Sequence, residues 1–422
     1  VTRQVLDNAG RTQAVSDPQP VYSQAVGVAG NDEVALENLT VDKVRFPVGD
    51  DPVASALVAA QVAGNDNDAV QALRDSGFFY QFVPKVYGGI ETDFDSFIDA
   101  SLAIAEADPS TSWVATFCAE HNWLLSHFPK ATLDAIWGGD HPYIIAPYSA
   151  SPPGKAIPVD GGYRVTGRWS WGTGIMHADW VMLNSLIPQA EGPPQQAMVL
   201  LRAEEVRVPD TWQMFGMAGT GSNDIVVEDV FVPTDRAVVN LARSGRQPNE
   251  RAFENPIYGV PMLPFLAMSA AIPALGATRG MLKAYQNRLE HHLRGGSNTV
   301  QAEKVAPHIR LGRADLLARS AEALIRDAGR NLIEVAKLEE PEQTPARIAV
   351  RGQLALAVAQ CRDAALLLAE GAGSGALSLD NPFQRNFRDL FAMSTHIVFD
   401  VDIAFELHGR ALLGLPPNAL AH

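Results

Sequence analysis

The sequence predicts an α+β fold in three parts: a helical domain, an antiparallel β domain and a long helix bundle. Three observations predict it. Apolar residues recur at helical spacing from Val53 to about Pro142, alternate with a period of two between Tyr143 and Asn240, and resume helical spacing from about Phe253 to near Leu413. The expected boundaries are therefore a leader over 1–50, a helical domain over 51–142, a β domain over 143–250 and a bundle over 251–422.

Residues 1–50 are rich in Asp, Asn, Gln and Ser, keep neither period for long, and read as a flexible leader or docking arm without the apolar stretch of a secretory signal. Helices follow at ASALVAAQVA, at AVQALRDSGFF and from Phe94 to Ala107, where Pro109 stops the run. The next helix starts at DPSTSW, capped by Asp108 or Ser110 with Pro109 in its first turn. Strands are expected at YRVTGRW, DWVMLNSLI, QAMVLLRAEEVRV and DIVVEDVFV, separated by Gly161-Gly162, by residues 191–194 and by residues 219–223. Bundle helices are expected at Leu266–Leu293, Val300–Lys337, Thr344–Glu370 and Asn381–Leu412. Val260 to Ala277 carries almost no charge, but Pro261, Pro264 and Pro273 interrupt it, so a buried helix is expected there and no membrane span.

Composition excludes several classes. With 33 Lys and Arg against 48 Asp and Glu, the formal charge is −15, and no basic block could neutralise nucleic-acid phosphates. The two cysteines, Cys118 and Cys361, sit far apart in apolar helical patterns, as buried thiols of a cytoplasmic protein would. HExxH, GxSxG, a P-loop and a strand-turn-helix GxGxxG are all missing. His291-His292 point to different helix faces and form no metal site, so no metal is expected.

Three patterns carry chemistry. GRWSWGTGIMHADW packs three tryptophans and Gly-Thr-Gly into residues 167–180, and its Trp169-x-Trp171 pair should put both rings on one strand face. That face either fills a core or walls a flat ligand. Trp113, Phe117 and His121 recur at i, i+4 and i+8, aligning an imidazole with two aromatic rings. Steps of three, four and four residues from Arg385 through Arg388 and Ala392 bring His396 onto one helical stripe.

DGGYRVTGRWSWGTGIMHADW, GMAGTGSNDIVVEDVFVP and NPFQRNFRDLFAMSTHIVFD resemble signatures of the acyl-CoA dehydrogenase superfamily. Within it they are similar to the oxygenase components of two-component flavin-dependent monooxygenases, which include hydroxylases of 4-hydroxyphenylacetate and of steroid-derived phenols. The resemblance covers about residues 55 to 415 and implies a helical domain, a central antiparallel β-barrel and a C-terminal four-helix bundle. The Tyr-Glu-Gly-Thr motif that carries the base of many dehydrogenases is missing, and His396 stands in that region.

The resemblance also implies roles. Trp171 would edge the flavin, Gly172 would let backbone approach it, and Thr173 would protect N5. Trp113 would lie against the flavin, with Tyr148 and Ser149 from APYSAS touching flavin or substrate. Arg294 would bind the flavin phosphate, and Ser374 and Gly375 of EGAGSGAL would form a second flavin-contacting turn. His121, His396, Thr173 and Ser149 are the implied catalytic set, His121 favouring the phenolate and His396 standing by the peroxide. The implied reaction takes reduced FMN or FAD from a separate NAD(P)H:flavin reductase, forms a C4a-hydroperoxide with O2 and hydroxylates a small aromatic substrate, in a homotetramer. N- or S-oxygenation, an acyl-CoA dehydrogenase and a non-catalytic scaffold are the alternatives.

Overall fold

A computed structural model describes residues 4–6, 12–14, 66–139, 144–239, 253–291 and 305–419. In the leader, β1 (Gln4–Leu6) pairs antiparallel with β2 (Thr12–Ala14). The expected helix at ASALVAAQVA lies outside the described residues. The first helical part comprises α1 (Asp66–Asp75), α2 (Phe94–Ala107), α3 (Pro109–Leu125) and α4 (Lys130–Trp137). Asp108 both ends α2 and caps α3, its carboxylate accepting from the Thr111 N–H at 2.9 Å. Asp108 is therefore the cap, which frees the Ser110 hydroxyl for a longer-range bond.

The sheet comprises β3 (Tyr148–Val159), β4 (Gly162–Trp169), β5 (Trp180–Ile187), β6 (Gln195–Arg202), β7 (Ile225–Pro233) and β8 (Ala237–Val239). Its order is β7-β4-β3-β5-β6-β8, which corrects the expectation of an all-antiparallel barrel: β3 and β5 are parallel, and the hydrogen-bonded order of the described strands does not close. The reason lies in one connection. Residues 170–179 leave β4 and enter β5 at the same end of the sheet, passing β3, so β5 lands beside β3 with the same direction. Assuming that sequence neighbours pair fails here, and the bridging segment is the Gly-Thr-Gly stretch itself.

Both sheet faces are buried. Met182, Met198 and Leu200 join the helical core, whereas Val165, Trp169, Val181, Leu183, Ile225 and Val227 form a second cluster on the opposite face. Helix α5 (Met262–His291) crosses the first core, followed by α6 (Val305–Val335), α7 (Gln343–Ala372), α8 (Pro382–Ser394) and α9 (Val401–Leu412). Among the described residues α5 alone is long and apolar enough to cross a membrane, and it is mostly buried inside the protein. Close approach of α5 to α2 depends on Gly276, where a Cβ would stand 2.1 Å from that of Ala105.

The expected helix Asn381–Leu412 is broken in two. Ser394 and Thr395 turn their hydroxyls back onto the carbonyls of Phe391 and Ala392, at 2.9 and 2.8 Å. A 3₁₀ turn, Ile397–Phe399, then intervenes before Asp400 caps α9. His396 thus lies beyond the end of α8 in extended backbone, a correction to its placement on a helical stripe.

Candidate active site

Three rings of α3 meet the segment that follows α8. Trp113 stacks on Phe117 with centroids 4.6 Å apart, and Phe117 meets His121 edge-on at 5.9 Å. From the far end of the chain His396 packs edge-on against Trp113 at 5.7 Å and against Phe399 at 6.3 Å. Local helical spacing aligns the first three rings; only the break after Ser394 delivers the fourth. His396 caps the 3₁₀ turn, its Nδ1 accepting from the Val398 N–H at 3.3 Å. A neutral imidazole that accepts at Nδ1 carries its proton on Nε2, so His396 offers an N–H donor.

A second group of side chains also packs on α3. Thr173 is buried and its Oγ1 lies 3.0 Å from Ser222 Oγ, which lies 2.8 Å from Thr220 Oγ1; that hydroxyl in turn donates to the Met217 carbonyl. The next residue, Gly174, presses on α3: a Cβ there would stand 2.7 Å from Cys118 Sγ. Asp389 of α8 ties the hydroxyl loop down. Its carboxylate accepts from the Met217 N–H at 2.6 Å and from Ser110 Oγ at 3.2 Å, while Arg388 donates to the Phe215 carbonyl at 2.7 Å. Met217 needs this support, because its φ of 60° is left-handed and costly for a residue with a side chain.

Several expected site residues behave differently. Trp169 is fully buried in the sheet core with its indole N–H on the Asn184 carbonyl, whereas Trp171 lies beyond the strand at φ 66° and is 61% exposed. The expectation of both rings on one face is therefore wrong: the left-handed backbone turns Trp171 outward. Gly172 is required by a close approach to protein, since a Cβ there would meet Ile225 Cδ1 at 2.6 Å. Ser149 is buried and gives its hydroxyl proton to the Ser170 carbonyl at 2.8 Å, which leaves it only as an acceptor. Tyr148 packs against the helical core, and burial pushes its phenol up to about 12.

Ser374 and Gly375 make their contacts elsewhere, in an exposed turn after α7. Arg288 faces it: Cβ atoms built on Gly373 and Gly375 would stand 3.3 and 3.6 Å from its Nη atoms. Arg288 Nε and the Tyr285 hydroxyl are buried there without hydrogen-bond partners. Two orphaned donors beside a glycine turn fit the phosphate end of a flavin. Arg294 lies outside the described residues, and spacing alone gave no sign of Arg288, six residues earlier in the sequence.

Electrostatically the site is dry. Burial pulls His121 down to about 3 and His396 to about 4, and it pulls His127, whose ring packs on Trp123, to about 4. All three are neutral when folded and take up protons near 6.5 when unfolded. Because the unfolded chain binds more protons between 6.5 and those values, stability is complete above that window and drains away as pH falls through it. Urea midpoints should therefore drop clearly between about pH 7 and about pH 5. A His127→Phe variant, which spares the candidate site, should lose less.

The acyl-CoA dehydrogenase C-terminal domain profile matches residues 268–401. The chain is 35% identical over 355 residues to a pigment production hydroxylase of Rhodococcus sp., covering 83% of this chain and 90% of that one. It is 32% identical to the oxygenase component of the FADH2-dependent resorcinol hydroxylase of Rhizobium sp., covering 83% and 88%. The structure of XiaF from Streptomyces sp. in complex with FADH2 and glycerol superposes with a TM-score of 0.81 at 28% identity, over 87% of this chain and 96% of that one. Fold and site together define a flavin-dependent monooxygenase on an acyl-CoA dehydrogenase-like fold of helices and sheet. Within that class, the chain belongs to the oxygenase components of two-component flavin-dependent hydroxylases.

Proposed function

We propose that this chain binds reduced FMN or FAD delivered by a separate NAD(P)H:flavin reductase and hydroxylates a small phenol with O2. The observation that carries the reading is the contact of His396 with Trp113, which joins two imidazoles through one aromatic wall. Bound reduced flavin supplies the electrons that activate O2. The residues do the rest. Arg288, Tyr285 and the Ser374-Gly375 turn hold the phosphate, with Arg294 a further candidate, and Trp113 and the Tyr148-Ser149 strand border the ring system. Trp171, exposed on its left-handed backbone, and Gly172 beside it would border the edge of the bound flavin. The Thr173 hydroxyl, steadied by Ser222 and Thr220, keeps the proton at flavin N5. His396 offers its Nε2–H to the oxygen that is transferred, and His121 favours the phenolate, whose ring carbon is the stronger nucleophile.

We assign residues 51–142, 143–250 and 251–422 to three domains, and a cytoplasmic homotetramer is the expected assembly; the two buried free cysteines support the compartment. The deciding experiment supplies reduced flavin and a panel of phenols, following O2 uptake and hydroxylated product. Complete recovery of the reducing equivalents as hydrogen peroxide with every phenol would sink the proposal. For Thr173→Ala, removal of the hydroxyl that guards N5 should raise the peroxide released per reduced flavin oxidised by about tenfold or more. An unchanged ratio would take Thr173 out of that role.

A further inference from the structure

Among the described residues Asp389 and Glu120 are the two buried acids, and they are kept differently. Asp389 accepts two hydrogen bonds, whereas neither oxygen of the fully buried Glu120 has a partner. The Ser269 hydroxyl that faces Glu120 from α5 favours its charged form, but less than burial opposes it, and that hydroxyl also reaches the Phe265 carbonyl at 3.3 Å. A carboxylate with so little hydrogen bonding in a buried interior is costly, and burial pushes this carboxyl well above its ordinary range, so it keeps its proton. That proton needs an acceptor. Glu120 Oε1 lies 3.9 Å from His121 Nε2, and His121 Nδ1, on the other side of the ring, is buried without a partner.

We infer that the Glu120 carboxyl donates its O–H to His121 Nε2 and so holds the imidazole as its Nδ1–H tautomer, making Nδ1–H the group that a substrate oxygen meets. Rotation of the two side chains in the free protein closes the gap by about 1 Å. The competing arrangement, a carboxylate beside an imidazolium, would bury two charges with at most a shared serine hydroxyl to steady the carboxylate, which a buried interior resists. It also conflicts with an imidazole that burial holds at about 3. In the inferred arrangement no proton changes owner: His121 stabilises a phenolate by donating a hydrogen bond and never holds an extra proton. Glu120 is a positioning residue that acts through His121. The inference rests on the proposed place of His121 at the substrate and deepens it.

The test is a long-range nitrogen–proton correlation spectrum of the full chain, isotopically labelled at histidine nitrogens, with the His121 signals assigned by their loss in His121→Gln. Nδ1 should be protonated and Nε2 bare in the natural protein, and Glu120→Leu should move the proton to Nε2, which free imidazoles prefer. A bare Nδ1 in the natural protein, or the same tautomer in both proteins, overturns the inference. Should the leucine variant not fold, the infrared difference between the natural protein and Glu120→Gln decides. Loss of a protonated carboxyl stretch supports the pairing, and loss of a carboxylate band overturns it. Failure of the underlying reading is distinguishable: if His121→Ala hydroxylates normally, the role of His121 falls while the tautomer result stands. If hydroxylation is lost but the tautomer does not depend on Glu120, only the pairing falls.

Discussion

Replacing His121 with alanine is expected to cut phenol hydroxylation by about 10²–10³, or roughly 3–4 kcal/mol, while O2 is still consumed. Burial of the imidazole sets the size of the effect. His121 is 2% exposed and burial holds its imidazole near 3, so at neutral pH it is an uncharged ring in line with Phe117 and Trp113. A neutral N–H aimed at a phenolate oxygen in such surroundings is worth far more than the same contact in water. Its removal should leave flavin binding and O2 uptake in place, because Trp113, Thr173 and His396 are untouched. Reducing equivalents then leave as hydrogen peroxide. The measurement is product per reduced flavin in a single turnover; a yield equal to that of the natural protein would remove His121 from the reaction.

Asp389→Ala is expected to destabilise the protein by about 3 kcal/mol, because it strands buried donors. The Met217 N–H and the Ser110 hydroxyl both lose their acceptor. Met217 also loses what holds its left-handed backbone, and with it the seating of Thr220 and Ser222 beside Thr173. The variant should therefore unfold at lower urea and release more peroxide, as is expected of Thr173→Ala. Asp389→Asn keeps an oxygen for the Met217 N–H, and the Ser110 hydroxyl can rotate to meet the new amide. It should retain all but about 1 kcal/mol. Equal losses in the two variants would mean that the aspartate matters for its charge and not for seating the loop.

The rate of peroxide release without phenol separates the two cases. Without His121 the site still activates O2 but lacks the group that prepares the substrate, so peroxide rises only as product falls. Without Asp389 the hydroxyl loop is loosened, so peroxide should be released faster even with no phenol present, although its yield there is complete in either protein. These readouts follow from which of the two groups on α3 each residue serves.

Much of this protein was legible in the residue order because the physics involved is local. Helix α2 runs from Phe94 to Ala107 as its spacing and Pro109 predict, Asp108 caps α3, and Trp113, Phe117 and His121 align because one helix carries them at four-residue steps. The period of two between Tyr143 and Asn240 likewise marked the stretch that holds β3 to β8, from Tyr148 to Val239. Tertiary structure alone decided the rest: that β5 lies parallel to β3, that Trp171 turns outward, that His396 caps a turn against Trp113, and that Glu120 is sealed beside His121. Those outcomes depend on which surfaces are left to bury once the elements exist and on which polar groups then lack water. Neither quantity is written in any window of neighbouring residues.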